Sequence, residues 1–257
     1  MKSAKLLVAL AATGLVATSA FAQKSAFEGF YRQLATGYEN NTLKNNGGTL
    51  SGVDSNGSGD TWSNPLTTGG TQTAGGVPLV AGLGYNFAIN NQLLVGLGVD
   101  YSFLSQKTNN YSSSIVDADG TVTTFGGQQV KISNRLNIFI TPGYAIDKDK
   151  LVYVKAGYSQ QTMNYTGANT IDGFPISAAG IASFSSQNQT MTGYILGLGY
   201  RQVISGGVYA FAEGNYMSYG QKSFTSSSVT SDGRPLNVSL SPSANAYNLL
   251  VGVGYKF

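Results

Sequence analysis

Five charged residues stand where they could work together: Asp100, Arg135, Lys155, Arg201 and Glu213. Each falls on the face of a period-two segment that otherwise carries Gly, Ser and Asn, so all five are expected to point into one interior. Cations and carboxylates confined in that way can neutralise one another as a rigid network, or swap partners and act as a gate; the network is the favoured expectation. Lys256 joins the set on the same alternation. Glu28 and Arg32 join it only if the first strand is read charge-inward, a phase left open because Phe30 and Leu34 would then point inward too. Catalysis has few candidates. The chain has no His and no Cys, which removes the Ser-His-Asp triad, the thiolate nucleophile and the usual zinc ligands. No spacing marks a Ser-Lys or paired-carboxylate site, and Glu39, Asp54 and Asp60 read as solvated residues in or beside a long loop, or at best weak Ca²⁺ contacts. No cofactor, no metal and no enzymatic activity are expected.

The elements that must position these charges are strands. In the last of them Tyr247, Leu249, Val251, Val253, Tyr255 and Phe257 share one face, with Asn248, Gly252, Gly254 and Lys256 on the other and Leu250 as the misfit. The same alternation runs through 77–87 and 93–103. It continues through 130–141, where Val130, Ile132, Leu136, Ile138 and Ile140 are read on one face opposite Lys131, Ser133, Arg135 and Asn137. Segments at 152–159, 192–200 and 208–216 follow, and an opening strand near 27–38 brings the number to eight. Three connections are tight, near 88–91, 146–150 and 204–207. Four are long and rich in Gly, Ser, Thr and Asn, near 39–75, 105–127, 166–188 and 225–243.

One face of each strand is apolar and aromatic while the other carries glycine and charge. Glycine and unpaired charge cannot fill a soluble core, but they can line a polar lumen inside a wall that faces lipid. In hydrocarbon every open strand edge is costly, so such a wall must close on itself. The expected fold is therefore all-β: a closed antiparallel up-and-down transmembrane β-barrel of eight strands, with short periplasmic turns and long extracellular loops. Ten strands is the rival, if 111–116 and 121–125 pair as strands rather than extending strands three and four. Ala81-Gly82-Leu83-Gly84-Tyr85, Leu196-Gly197-Leu198-Gly199-Tyr200 and Val251-Gly252-Val253-Gly254-Tyr255 repeat at the short-turn end, with Thr141-Pro142-Gly143-Tyr144 a degenerate copy. Tyr85, Tyr144, Tyr200 and Tyr255 are thus expected to form an aromatic girdle, and the inward glycines to leave room for larger neighbours.

Composition agrees. Of 257 residues 34 are Gly, 16 Tyr and 12 Phe, and only 11% are charged, less than half the usual share. Lys2 and Lys5, the apolar stretch from Leu6 to Val16 and Ala20-Phe21-Ala22 read as a signal peptide over residues 1–22, cleaved before Gln23. That leaves a nearly neutral chain, residues 23–257, as a single domain. Its basic residues are scattered, so no nucleic-acid partner is expected.

Residues 24–257 resemble the small eight-stranded outer-membrane barrels of the OmpA/OmpX and opacity-protein type, on the Gly-x-Gly-Tyr strand ends and the terminal Tyr255-Lys256-Phe257. The resemblance implies that Tyr255 and Phe257 form the signal read by the barrel-assembly machinery. It implies partners of outer-membrane lipid and lipopolysaccharide, periplasmic chaperones during export, and a host or surface ligand at the loops. No peptidoglycan-binding domain is expected after Phe257. The enzymatic small barrels rely on a His that this chain lacks. The role implied is non-enzymatic, in envelope integrity or surface interaction, with a narrow pore for small solutes or ions as the alternative. The lone Trp62 is expected to rest on the membrane interface.

Overall fold

The structure, a computed structural model, describes residues 26–54, 58–68, 70–117 and 119–257; the expected signal peptide lies outside them. Eight long strands dominate: β1 Gly29–Val53, β2 Leu79–Ala88, β3 Leu93–Ser102, β4 Val122–Asp147, β5 Lys150–Thr166, β6 Gln187–Ser205, β7 Val208–Tyr219 and β8 Pro235–Lys256. Each pairs antiparallel with the next. β8 returns to β1, from Tyr31↔Lys256 to Gly52↔Leu236, so the ladder forms a ring. Two short strands, Thr170–Ile171 and Phe174–Pro175, continue the sheet from β4, which puts ten segments on one path of pairing. Among the described residues there is no α-helix, only a 3₁₀ turn at Ile176–Ala179.

The three tight turns fall where expected. Gly206 and Gly207, at φ 56° and 87°, close β6 onto β7, and a two-residue turn of this hand needs positive φ at both positions. At the β4–β5 turn Lys150 binds Asp147 at 2.9 Å, and that hydrogen bond holds the exposed carboxyl below its ordinary range. The long connections are more ordered than expected. β1 runs into the first one as far as Val53, and Thr61–Pro65 and Gln72–Gly76 fold back to pair with it. Phe224–Val229 forms a hairpin with the start of β8. Residues 111–116 do form a strand, paired with the top of β4, whereas 122–125 are β4 itself.

These extensions divide the wall into two levels of opposite polarity. Along β8, Tyr247, Leu249, Val251, Val253 and Tyr255 face outward, and Asn248, Gly252 and Lys256 lie on the inner face. Further up the same strand the outward residues are Asn237, Ser239, Ser241, Ser243 and Asn245, and the inward ones Leu236, Val238, Leu240, Ala244 and Ala246. The faces do not change; their chemistry does. β1 changes in the same sense, from outward Phe30, Leu34 and Tyr38 to outward Thr42 and Lys44, and from inward Glu39 and Asn41 to inward Leu43; above an irregularity between Asn45 and Gly48 its alternation shifts by one and Leu50 faces inward.

β4 likewise makes the change at an irregularity. Leu136 and Gln160 are opposed, as are Ser133 and Thr162, so Asn134 and Arg135 together face the single residue Gln161. Asn134 has φ 52°, and the extra residue shifts the alternation by one. Val130 and Ile132 therefore face inward, while Ile138 and Ile140 face out. This corrects the expectation that all four share a face.

The upper interior is an apolar core built around Leu43, Phe125, Met163, Met191, Met217 and Leu240. Trp62 packs against it, its ring beside Gly52, and so stands on the upper wall rather than at the lipid-facing level.

Candidate functional site: the packed interior of the ring

The lower interior holds three stacked layers of polar side chains. The lowest centres on Arg201, whose guanidinium carbon lies 4.4 Å from the ring centre of Tyr31, 4.7 Å from Tyr153 and 5.4 Å from Tyr209. Its Nη2 donates to Gln33 Oε1 at 3.4 Å, and the Tyr209 hydroxyl donates to the same oxygen at 3.1 Å. A desolvated cation over aromatic faces gains about 2 kcal/mol per good contact. The rings have room because glycine stands opposite: a Cβ on Gly199 would lie 2.1 Å from Tyr153, and one on Gly254 2.2 Å from Tyr209. Leu250, the misfit of the last strand, closes this level, buried with Tyr31, Ala35, Val80, Tyr209 and Phe211.

In the middle layer Lys155 Nζ lies 2.7 Å from Asp100 Oδ2 and 2.8 Å from Glu213 Oε1. Asn137 donates to Asp100 at 2.6 Å, and Asn215 and the Tyr153 hydroxyl each donate to Glu213 at 2.7 Å. The two carboxylates carry one charge more than Lys155 cancels. Tyr153, bonded to Glu213 and stacked on Arg201, connects that surplus to the unmatched cation below.

The upper layer pairs Arg135 with Glu39. Arg135 also donates to Asn41 at 2.5 Å, to Gln161 at 2.7 Å and to the Tyr219 hydroxyl at 2.9 Å. Tyr219 in turn meets Ser159 Oγ at 2.7 Å. Every charged group in the three layers is at most 5% exposed, and three cations face three carboxylates. Burying ions costs several kcal/mol each unless hydrogen bonds and opposite charge compensate; here each charge has both, except Arg201, which has rings in place of a carboxylate. Between the middle and upper layers a space of about 10 Å³ remains, bordered by Asp100, Arg135, Asn137 and Asn215, which is the lower limit for one water.

All five of Asp100, Arg135, Lys155, Arg201 and Glu213 are thus brought together. Glu39 was missed. Assigned to a loop, it is 3% exposed in the middle of β1, where the inward parity of Asn41 and Leu43 could have placed it. The start of the first strand does not turn Arg32 inward: Tyr31, Gln33 and Ala35 face inside, while Arg32 faces out, 5.2 Å from the ring centre of Phe257 and 6.0 Å from that of Tyr255.

Tyr85, Tyr144, Tyr200 and Tyr255 lie on the outer face near the short-turn end. Tyr85 packs edge-on against Phe30 at 4.8 Å, and Tyr255 against Phe257 at 5.1 Å. The Phe257 amide donates to the Phe30 carbonyl at 2.9 Å. A second outward set was missed: Tyr38, Tyr158, Tyr194, Tyr216 and Tyr247, all more than 40% exposed, at the level where the outer face turns polar. Among the described residues no group of three or more His, Cys, Asp or Glu side chains is placed to hold a metal.

Residues 8–257 match the family described as the outer membrane protein beta-barrel domain. No curated protein sequence matches the chain. Among solved structures it is similar to Ail, the attachment invasion locus protein of Yersinia pestis, at 12% identity over 90% of this chain and 99% of that one, with a TM-score of 0.39. It is also similar to the outer membrane protease OmpT of Escherichia coli, at 9% identity, 92% and 99% coverage and a TM-score of 0.48. The outer membrane protein OprG of Pseudomonas aeruginosa is similar at 14% identity, 90% and 96% coverage and a TM-score of 0.42. With a family match across nearly its whole length, the chain belongs to the outer membrane protein beta-barrel domain family and is an integral, multi-pass β-barrel of the Gram-negative outer membrane, surrounded by lipid and lipopolysaccharide and assembled by the barrel machinery.

Proposed function

We propose that this protein is a closed eight-stranded barrel of the small OmpA/OmpX and opacity-protein type whose interior is a permanent seal, and that it serves envelope integrity and surface interaction through its extracellular wall. The observation that carries this reading is the interior packing. Asp100, Arg135, Lys155, Glu213 and Glu39 are buried and paired with opposite charge, and Arg201 is buried among three tyrosine rings, with about 10 Å³ left between two of the layers. An eight-stranded ring has an interior only wide enough for its own side chains, and these fill it.

On this reading residues 1–22 are the cleaved signal peptide, and Tyr85, Tyr144, Tyr200 and Tyr255 are the periplasmic girdle. Tyr255 and Phe257 are the signal recognised during assembly, periplasmic chaperones carry the chain there, and a host or surface ligand meets the extracellular wall. Planar-bilayer recording of the purified protein tests the seal. The expected result is no steady conductance. Steady openings whose size changes in Lys155→Met or Arg135→Met would replace the seal with a narrow pore for small solutes or ions.

A further inference from the structure

Charge on the extracellular wall is sorted by height. Lys107 and Lys131 are directly opposed on neighbouring antiparallel segments, and their side chains lie on the outer surface. Opposed residues have Cβ atoms about 4.5–5.5 Å apart, where like charges repel. Among the described residues neither lysine has a carboxylate within ion-pair distance. Lys131 continues across the wall to Asn164 and then Asn188, so the pair opens onto hydrogen-bonding amides rather than onto acids. Around the ring, Lys44 is opposite Ser243, and the Lys222 amide donates to the Pro242 carbonyl at 2.9 Å, which brings a second exposed lysine pair into one neighbourhood.

Lys107, and Lys131 opposed to it, stand just above the lipid-facing surface. Phe103 and Leu104, 59% and 47% exposed, precede Lys107 by only three or four residues, about 10–13 Å of extended chain. The acids of this end are elsewhere: Asp54, Asp60, Asp117, Asp119, Asp172 and Asp232 all lie in turns at the tips of the short hairpins, about 20 Å or more of strand beyond the lysines.

We propose that Lys107 and Lys131, with Lys44 and Lys222 as a second pair, bind the phosphate groups of the lipopolysaccharide that surrounds the barrel. A repulsive cross-strand pair is stable when an anion bridges it, and the anions at this height in the outer leaflet are the phosphates on the lipid's sugar headgroup. Sorting acids to the tips keeps them away from those phosphates. The proposal rests on the family assignment and on the long hairpins facing outward, not on whether the interior conducts.

The test uses the full protein refolded in detergent and titrated with three probes: intact lipopolysaccharide, the same lipid after phosphatase treatment, and phosphatidylglycerol micelles. A charge-assisted hydrogen bond to phosphate supports roughly a tenfold or larger change in affinity. Lys107→Gln/Lys131→Gln should weaken binding of intact lipopolysaccharide by about that factor, and phosphatase treatment should weaken wild-type binding to a similar extent. Lys44→Gln/Lys222→Gln should have a smaller effect of the same kind, and Lys148→Gln in the opposite turn none. Equal binding by wild type and the first double variant, or by treated and untreated lipid, overturns the site. Equal binding of phosphatidylglycerol, or competition by millimolar inorganic phosphate, overturns the assignment to lipopolysaccharide. Heat-modifiable migration on a gel reports folding of each variant, and a conducting barrel that still discriminated phosphate would overturn the seal while leaving this site standing.

Discussion

Two lengths of the same wall, one below Tyr158, Tyr194 and Tyr247 and one above, use the same strands and the same pleat with opposite chemistry. Below, leucine, valine and tyrosine point outward and six charged groups sit inside. Above, serine, threonine and asparagine point outward and methionine, leucine and phenylalanine fill the interior. What differs is the solvent. Where the outside is lipid, moving apolar side chains inward gains nothing, and the interior can be closed by ion pairs and hydrogen bonds. Where the outside is water, apolar burial supplies the driving force, and the upper wall is organised like a soluble protein.

The comparison is broken most strongly at its polar end. Glu39→Leu removes the one carboxylate that, among the described residues, lies within ion-pair distance of buried Arg135 and should cost about 3–5 kcal/mol in urea unfolding from lipid vesicles. Glu39→Leu/Arg135→Leu should recover most of that loss, since the penalty is the stranded charge. A single variant as stable as wild type would mean that the interior does not require pairing. Met163→Ala, at 1% exposure in the upper core, should cost about 2–5 kcal/mol. It should appear as faster proteolysis of the upper hairpins while the heat-resistant gel form persists; simultaneous loss of both would show the two levels to be one cooperative unit. The sharpest contrast is on β8 alone. Leu249→Arg faces lipid and should cost about 2–4 kcal/mol. Ser241→Arg, on the same face eight residues nearer the top, should stay within about 0.5 kcal/mol. Equal costs would move the membrane boundary.

The lower level was legible because period-two alternation with glycine and charge on one side has few other meanings. The faces of β8 from Tyr247 to Tyr255, the three tight turns and five of the six interior charges follow from it. The upper level was not legible in the same way. Ser239, Ser241 and Ser243 alternate with Leu240, Pro242 and Ala244, which is an ordinary amphipathic strand, but the abundance of Ser, Asn and Gly made it look like loop, and Glu39 was assigned to a loop with it. On β4 the obstacle was geometric: parity cannot be carried through a bulge, and nothing but Asn134 in its positive-φ conformation marks one. Arg201 was placed correctly, yet its three tyrosines come from β1, β5 and β7 and meet only when the ring forms.

The ladder between β1 and β8 has a consequence for the order of assembly. It is the longest run of pairing in the ring, and Tyr31 and Lys256 are separated by nearly the whole described chain. Contacts so distant in sequence are entropically slow to form, and no part of this ladder exists until the last strand is in place. Glu39 on β1 reaches Arg135 on β4 across the interior, and Arg201 on β6 stacks on Tyr31 of β1, so both of these contacts also wait on the first strand's final position. Closure of the seam and completion of the upper and lower layers therefore depend on the same step, whereas Lys155 on β5 can meet Asp100 on β3 and Glu213 on β7 without β1; an intermediate with an open seam would expose both unpaired backbone and unpaired charge to lipid. Such a chain has reason to stay with its assembly machinery until the ring is complete.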